Sequence, residues 1–462
     1  MKKRNSVALF NILSVILLNG ISFLTAPLFS RLLGDSGYGI FKIYNIWAGV
    51  IAIVFTLQTH STLVNARVEY PEDRQRQYQS SVMGMSVLMF ALCSGLVLLF
   101  LNPISRLLKL EPLLIGLMLL QAFGAFCVNF LNTRNTYEYK AGRNMALSLT
   151  VTLTTLILSV ILILQLPQET RYYGRITAVA ATYGIVGIPI CLMVLLQGRR
   201  VYDREFWKFC LVLAIPAVFH NLSDLILGQS DQVMLQQMTN DATVGHYSYA
   251  WNFSNILFVI FGALNRTWCP FFFDEMKQGK QDAMLQKSRN FLELFTVLAC
   301  GFVLLAPEVY HVYADRSFWP STGLIPLFVI SYYINFLCTF PVNFEYYHKK
   351  TKVVAVVTIF SSVLNVMLNY FLIRRLGMLG AALATAVSHG VQLLLHHGYT
   401  SFWLGQGSYP FPVRVWAKYA AFFGVMVVVV LLTPNFWLLR WGTGAALGIW
   451  ELLRLRKRKV LI

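Results

Sequence analysis

Long apolar runs alternate with short polar segments along almost the whole chain. About fourteen of these runs reach the roughly 20 residues that a helix needs to cross the hydrocarbon core of a bilayer. Six of them precede residue 200, six lie between about 209 and 400, and two follow at about 415–433 and 437–453. The loops between them are short and leave no room for a soluble catalytic domain. The pattern predicts an all-α polytopic membrane protein with about 14 transmembrane helices.

Small residues recur at helical spacing near the start of the sixth and the twelfth run. The two rows are Gly174, Thr177, Ala178, Ala181 and Thr182 in the first, and Gly377, Gly380, Ala381, Ala384 and Thr385 in the second. Side chains this small let two helix backbones approach closely within a bilayer. A packing ridge that is used twice suggests a fold that is used twice.

Two further correspondences fall at almost the same offset along the chain. They match Asp35 and Gly39 with Asp241 and Gly245, and Glu138 with Glu345. Three correspondences in the same order predict two homologous halves. Because each half has an even number of spans, both halves enter the membrane in the same orientation and form parallel repeats.

The repeat predicts the domain organisation. Residues 1–200 and 201–400 are expected to form two six-helix bundles around a central cavity. Residues 401–462 are expected to add two transmembrane helices and a basic cytoplasmic tail.

Composition and charge agree with a membrane protein. Apolar residues make up 57% of the chain and charged residues 13%. The net charge of +18 would suggest nucleic acid as a partner of a soluble protein. Here most Lys and Arg residues fall in segments predicted to be cytoplasmic, which places both termini in the cytoplasm and explains the charge without a nucleic acid. The seven cysteines have no CxxC or CxxH spacing, so no metal site is predicted.

Three segments resemble bacterial polysaccharide flippases of the Wzx type. Residues 345–390 combine the loop EYYHKKTK, a span that contains asparagine and a Gly-x-x-Gly-Ala-Ala entry into the next span. Residues 27–39 and 221–234 look like the first and seventh spans of that family. The resemblance covers most of the first 400 residues and fades in the last two spans.

The resemblance implies membership of the multidrug/oligosaccharidyl-lipid/polysaccharide (MOP) exporter superfamily and transport by alternating access. The family's cargo is an oligosaccharide on undecaprenyl pyrophosphate, which such a protein carries from the inner to the outer leaflet of the bacterial plasma membrane. Polysaccharide polymerase and glycosyltransferases are the partners that this role implies. No cofactor is implied, although H⁺ or Na⁺ could drive the cycle.

A pyrophosphate needs cationic partners at membrane depth, where unpaired charge is expensive. Arg266, near the inner end of the eighth span, is the first candidate, because a guanidinium binds diphosphate through paired hydrogen bonds. The repeat places His60 at the equivalent position of the second span. The alternatives are that Arg266 reaches to the cytoplasmic head groups and that His60 is a packing residue.

Lys42 and Arg31 could form a cationic exit at the outer side. Lys42 lies one turn into the second span, and Arg31 lies at the outer end of the first. Alternatively Arg31 pairs with Asp35, four residues on.

His220, Asp224 and Asp231 lie on one face of the seventh span and are candidates for ion coupling. A carboxylate and an imidazole on that face could bind H⁺ or Na⁺. The alternative is that Asp224 accepts hydrogen bonds from neighbouring helices and that Asp231 is solvated.

The inner loops supply further candidates for the capture of a head group. Arg134 follows the fourth span, and Glu345, Lys349, Lys350 and Lys352 follow the tenth. The basic side chains could instead only set the orientation of the chain.

Two other functions compete with the polysaccharide flippase. One is a multidrug extruder or a lipid II flippase of the same superfamily, and the other is a polymerase or ligase that uses polyprenyl-linked sugars. An enzyme is the less favoured hypothesis, because no G-x-S-x-G, H-E-x-x-H or P-loop motif occurs in the sequence.

Overall fold

The structure, a computed structural model, describes residues 2–279, 281–404, 411 and 413–458. Almost all of these residues are helical, and no strand occurs among them. The prediction of an all-α polytopic membrane protein is therefore confirmed.

The α-helices are numbered in chain order. The first seven are α1 Lys2–Phe55, α2 Leu63–Glu69, α3 Glu72–Leu99, α4 Leu101–Leu108, α5 Pro112–Tyr137, α6 Ala141–Leu164 and α7 Arg171–Gly198. The remaining eight are α8 Arg204–Met238, α9 Asp241–Gln278, α10 Gln281–Tyr313, α11 Ile325–Tyr347, α12 Thr351–Leu376, α13 Met378–Gly398, α14 Val413–Leu432 and α15 Trp437–Arg458.

Helix α1 contains the first two predicted spans. Its two arms meet at Gly34, which has a φ of 68° and a ψ of −178°. A positive φ is accessible to glycine at no steric cost, because glycine has no Cβ. Gly34 therefore provides the sharp bend between the first and second spans.

Twelve helical segments of the described chain are long and apolar enough to cross a membrane. One of them, Gly20–Phe55 of α1, continues across the bend at Gly34 and therefore belongs to two predicted spans. Helix α15 forms but is too rich in charge and polar groups to be among the twelve. When the arms of α1 are taken separately and α15 is added, the helices agree with the predicted pattern of about 14 spans.

The chain divides into two compact units, residues 1–245 and 246–462. Within the first unit, α5 and α7 approach so closely that their backbones touch at glycines. A Cβ added to Gly124 would lie 2.2 Å from the carbonyl oxygen of Tyr183, and one added to Gly187 would lie 2.5 Å from the Cα of Gly124. Close helix contact through small residues is the arrangement expected in a bilayer.

An aromatic core fills the second unit. Phe336 stacks on Phe295 with ring centroids 4.2 Å apart, and Tyr333 stacks on Phe423 of α14 at 4.3 Å. Helices α14 and α15 pack on α10, where Arg440 pairs with Glu308. The two helices outside the repeat are thus part of the core of this unit.

The small-residue ridges do pack helix against helix, but three residues out of the predicted register. A Cβ on Gly174 of α7 would lie 2.9 Å from the backbone of α6, and one on Gly380 of α13 would lie 2.2 Å from the backbone of α12. Gly377, which the sequence matched to Gly174, instead has a φ of 56° and separates α12 from α13. The structure therefore matches Gly174 with Gly380, at the same offset as Gly39 and Gly245.

The same register continues along both ridges. Ala178 and Ala384 are fully buried. One turn further on, the buried hydroxyl of Thr182 donates to the carbonyl oxygen of Ala178, and that of Ser388 donates to the carbonyl oxygen of Ala384. The limits 1–200, 201–400 and 401–462 and the central cavity stay predictions. The two compact units differ from these limits in two respects, because α8 and the start of α9 belong to the first unit and the residues after 400 belong to the second.

Residues 35–39 and 241–245 meet within the first unit. A Cβ on Gly39 would lie 1.9 Å from the carbonyl oxygen of Asp241, and a Cβ on Gly245 would lie 2.0 Å from that of Asp35. The two copies of the repeated motif thus contact each other reciprocally, as in a two-fold symmetric pair.

Candidate functional site

Arg266 lies on an exposed stripe of α9. Ala263 and Pro270, one turn before and one turn after it, are exposed as well. This stripe faces away from the aromatic core, to which Trp268 contributes from the other side of the helix. The guanidinium is therefore available to a ligand or to head groups, as both interpretations of the sequence require.

His60 packs against an aromatic ring. It lies in a 3₁₀ turn at Thr59–Thr62, and its ring centroid is 5.9 Å from that of Phe126 in an edge-to-face contact. Its Nδ1 atom is buried without a hydrogen-bond partner. These contacts agree with the packing alternative, and a role in binding stays a prediction.

The two outer cations differ in exposure. Arg31 is exposed near the bend of α1, whereas Lys42 is partly buried two turns into the second arm. Asp35 accepts a hydrogen bond from the backbone of Ser36 at 2.7 Å. The proposed exit and the alternative pairing of Arg31 with Asp35 both stay predictions.

The predicted ion-coupling face of α8 divides into two environments. His220 and Asp224 form a pair with a distance of 3.5 Å from Nε2 to Oδ2, and both side chains are exposed. Asp231, two turns further on, is buried and accepts a hydrogen bond from the backbone of Gln232. The structure brings the first two residues together and sets Asp231 apart from them.

The inner loop after α5 is an ion-paired network. Arg134 donates to Glu138 at 3.0 Å and to Gln197 at 2.8 Å, and Lys140 also pairs with Glu138. Although burial acts to raise the pKa of Glu138, the hydrogen bonds from Lys140 and Arg134 prevail and lower it. Arg134 thus has local partners that a pyrophosphate would have to displace.

Glu345 has a different environment from the lysines that follow it. It is fully buried, and both of its carboxylate oxygens lie 3.0 Å from Nδ1 of His396, which is equally buried. Lys349, Lys350 and Lys352 are exposed. Glu345 is therefore part of a buried pair between α11 and α13 and does not face the loop surface, whereas the role of the three lysines in capture stays a prediction.

Sequence reasoning missed one cation, Arg175. It is the fifth residue of α7, and its guanidinium lies 3.7 Å from the ring centroid of Phe29. The signal was present in the sequence, because no acidic residue lies within four positions of Arg175 on either side. A cation without a local counter-ion in an apolar run is a default functional candidate.

No group of three or more His, Cys, Asp or Glu side chains that could hold a metal ion occurs among the residues that the structure describes.

Solved structures with the same fold define the class of this protein. A lipid II flippase, MurJ, in an inward closed conformation matches with a TM-score of 0.70 at 14% identity, over 98% of this chain and 99% of that chain. An inward-facing multidrug resistance MATE transporter of the MOP superfamily matches with a TM-score of 0.59 at 14% identity, over 85% of this chain and 96% of that chain. The protein is thus a multi-pass membrane protein with the fold of the MOP superfamily, which confirms the resemblance at that level.

Sequence comparison identifies the family. The family model described as polysaccharide biosynthesis protein matches residues 6–276, more than half of the chain, and the protein belongs to this family. An uncharacterized membrane protein of Haemophilus influenzae (strain ATCC 51907 / DSM 11121 / KW20 / Rd) is 25% identical over 386 residues, which are 79% of this chain and 87% of that protein.

Proposed function

We propose that the protein is a Wzx-type flippase of the bacterial plasma membrane. It moves oligosaccharide repeat units linked to undecaprenyl pyrophosphate from the inner to the outer leaflet by alternating access, for the assembly of a surface polysaccharide. Both termini lie in the cytoplasm. Glycosyltransferases supply the cargo, and a polymerase consumes it.

One observation carries the proposal: a member of the polysaccharide biosynthesis family has, over nearly its whole length, the fold of a lipid flippase. A polysaccharide pathway needs its lipid-linked sugars moved across the bilayer, and a lipid flippase fold supplies such movement. The long apolar helices, and the short connections between the helices in the described part of the chain, further favour transport over polymerisation.

Exposed and partly buried cations would guide the head group through the protein. Lys349, Lys350 and Lys352 meet the pyrophosphate at the inner leaflet, and Arg266 holds it within the membrane. Arg31 and Lys42 serve its release. A guanidinium is suited to this task because it presents a planar fork of donors to phosphate oxygens.

Ion coupling would use the exposed pair on α8. His220 and Asp224 are 3.5 Å apart, so that protonation of the imidazole strengthens their attraction. Transfer of H⁺ by this pair, or of Na⁺ by Asp224, down its electrochemical gradient would supply the free energy for the transport cycle.

The leaflet in which the intermediate accumulates tests the function. In cells from which the gene is deleted, we expect the lipid-linked repeat unit to be made and to accumulate out of reach of a membrane-impermeant sugar-oxidising reagent. Plasmid expression of the protein restores its access to the reagent. If the intermediate is labelled from outside in the deleted strain, the flippase proposal is wrong.

Substitutions distinguish this cargo from that of a multidrug extruder. Arg266→Ala strongly reduces restoration and Arg266→Lys reduces it less. Lys277→Ala, which alters an exposed cation three turns further along α9, has no effect. A drug extruder would lose export of small cations when Asp224 is replaced and would tolerate Arg266→Ala. A lipid II flippase would rescue cells depleted of their own lipid II flippase.

A further inference from the structure

A cavity of about 250 Å³ lies inside the first unit, among α1, α5, α6 and α7. Its lining includes Asn45, Gln121, Thr152, Thr155 and Arg175. At about 1.5 Å per residue, Gln121, Thr152 and Thr155 lie roughly 14 to 17 Å from the nearest ends of their helices, and Arg175 lies about 6 Å from the start of α7. A polar cavity with a cation at that depth of a bilayer protein needs an explanation.

The positive charge and the hydrogen-bond donors of Arg175 have few partners in the described part of the chain. Its Nη1 donates to Ser159 Oγ at 2.6 Å, and the guanidinium faces the rings of Phe29 at 3.7 Å and Phe41 at 5.1 Å. No carboxylate within 4 Å pairs with it in the part of the chain that the structure describes. Its Nε atom is buried and has no hydrogen-bond partner.

The walls of the cavity contain further unused polar atoms. Thr155 Oγ1 and Gln121 Oε1 are buried and unpartnered. The amide of Gln121 is held in place, because its Nε2 donates to Asn45 Oδ1 at 3.0 Å and Asn45 in turn donates to the backbone of Phe41. Buried polar groups in native proteins are rarely left without partners.

Water molecules alone would not balance the positive charge of Arg175 in this cavity. Water molecules could satisfy the hydroxyl and the Nε atom, since the cavity is polar and large enough to hold several of them. They would leave the positive charge in a region of low dielectric, and two aromatic faces balance such a charge only in part. A negative ion would balance it and would also accept hydrogen bonds from Nε and from Thr155.

We propose that this cavity is an anion-binding site in which Arg175 holds a small anion by charge and by hydrogen bonds, with the hydroxyl of Thr155 as a second donor. The site lies within one unit and involves none of the residues assigned to the cargo, so that binding of an ion from solution does not depend on the proposed function, and only a lipid diphosphate as its ligand rests on that function. Its ligand is a halide or a phosphate group, which either enters from solution or belongs to a lipid diphosphate.

The test measures anion binding to the purified full-length protein in lipid nanodiscs. The melting temperature is followed by tryptophan fluorescence at constant ionic strength, as sodium gluconate is replaced by chloride, bromide or phosphate. A further titration uses geranyl diphosphate as a soluble isoprenyl diphosphate. Radioactive chloride gives binding to the unmodified protein directly.

We expect at least one of these anions to raise the melting temperature in a saturable manner, by roughly 2 °C or more. Arg175→Gln removes the anion dependence. Arg171→Gln keeps it, because Arg171, one turn earlier on α7, donates only to the carbonyl oxygens of Leu32 and Leu166. If Arg175→Gln does not fold, Thr155→Val provides the second test and weakens binding by about tenfold.

The four probes identify the source of the anion. A response to chloride, bromide or phosphate supports an ion from solution, and a response to geranyl diphosphate alone supports a lipid head group. The absence of any response and of bound chloride would overturn the proposal. So would a response that is the same in Arg175→Gln as in the unmodified protein.

Discussion

The reciprocal contact between residues 35–39 and 241–245 makes a sharp prediction for Gly39→Ala. The added methyl group would lie 1.9 Å from the carbonyl oxygen of Asp241, whereas ordinary contacts begin at about 3.4 Å. The two segments must therefore separate by about 1.5 Å or deform. Overpacking of this kind costs about 1–3 kcal/mol, which is about 5- to 150-fold in an equilibrium constant.

Under alternating access, the cost falls on the state in which the two segments touch. Gly39→Ala should shift the population towards the state in which they are apart. Gly245→Ala, whose methyl group would lie 2.0 Å from the carbonyl oxygen of Asp35, should do the same. The two substitutions test the symmetry of the contact as well as its closeness.

Gly37→Ala is the matched control. It lies two residues from Gly39, and its methyl group would meet only Leu33 and Tyr172, at 3.5 and 3.7 Å. Because these are ordinary contacts and alanine favours a helix by about 1 kcal/mol over glycine, Gly37→Ala should be neutral or slightly stabilising.

Pulsed electron paramagnetic resonance measures the separation of the two segments. Spin labels are attached to cysteines that are introduced at residues 36 and 243 of a variant without native cysteines. We expect one short distance in the control, and a second, longer population in Gly39→Ala and in Gly245→Ala. If both variants have the distance distribution and the melting temperature of the control, the close backbone contact does not exist in the protein.

Three further predictions concern charged groups. Arg266→Ala should lower the rate of flipping by about 10- to 150-fold, because a hydrogen bond to a charged group contributes about 1.5–3 kcal/mol; an unchanged rate in membrane vesicles would remove Arg266 from the path. His396→Ala should destabilise the protein by about 3–5 kcal/mol, because it leaves Glu345 buried without its partner. Its melting temperature should therefore fall far more than that of the control His348→Ala, which alters an exposed side chain. The pKa of Glu138 is lower in the folded than in the unfolded protein, where it is about 4.3. The ionised carboxylate therefore stabilises the fold when the pH is above the unfolded pKa, and this stabilisation is lost as the pH falls through the folded pKa. Glu138→Gln should therefore lose less stability than the unmodified protein on going from pH 5 to pH 3, and equal acid sensitivity of the two would contradict the ion-paired network.

The sequence predicted the helices well because membrane spans are set by length and polarity alone. The register of the repeat was harder to predict. Gly377 and Gly380 have the same side chain, but Gly377 is used for its positive φ and Gly380 for close packing. Nothing in the spacing of the ridge distinguishes a glycine that ends a helix from one that touches another helix.

The environments of single charged residues could be predicted only in part. The loop position of Glu345 suggested exposure, but its partner His396 lies 51 positions along the chain, and only tertiary packing brings the two together. Arg175 was overlooked for a related reason, since a cavity formed by four helices has no signature in any one of them. The pair of His220 and Asp224 was predictable, because a spacing of four residues on one helix fixes their proximity.

The ion pairs on α10 have a consequence for truncated forms of the protein. Arg440 and Arg454 of α15 reach Glu308 and Glu293, and Tyr419 of α14 donates to Glu293 as well. A chain cut before α14 would leave two carboxylates of α10 facing hydrocarbon, where each would have to take up a proton or draw in water. The last fifty residues are therefore required for the stability of the second unit. A stop codon before them should yield a shortened chain that is degraded by proteases.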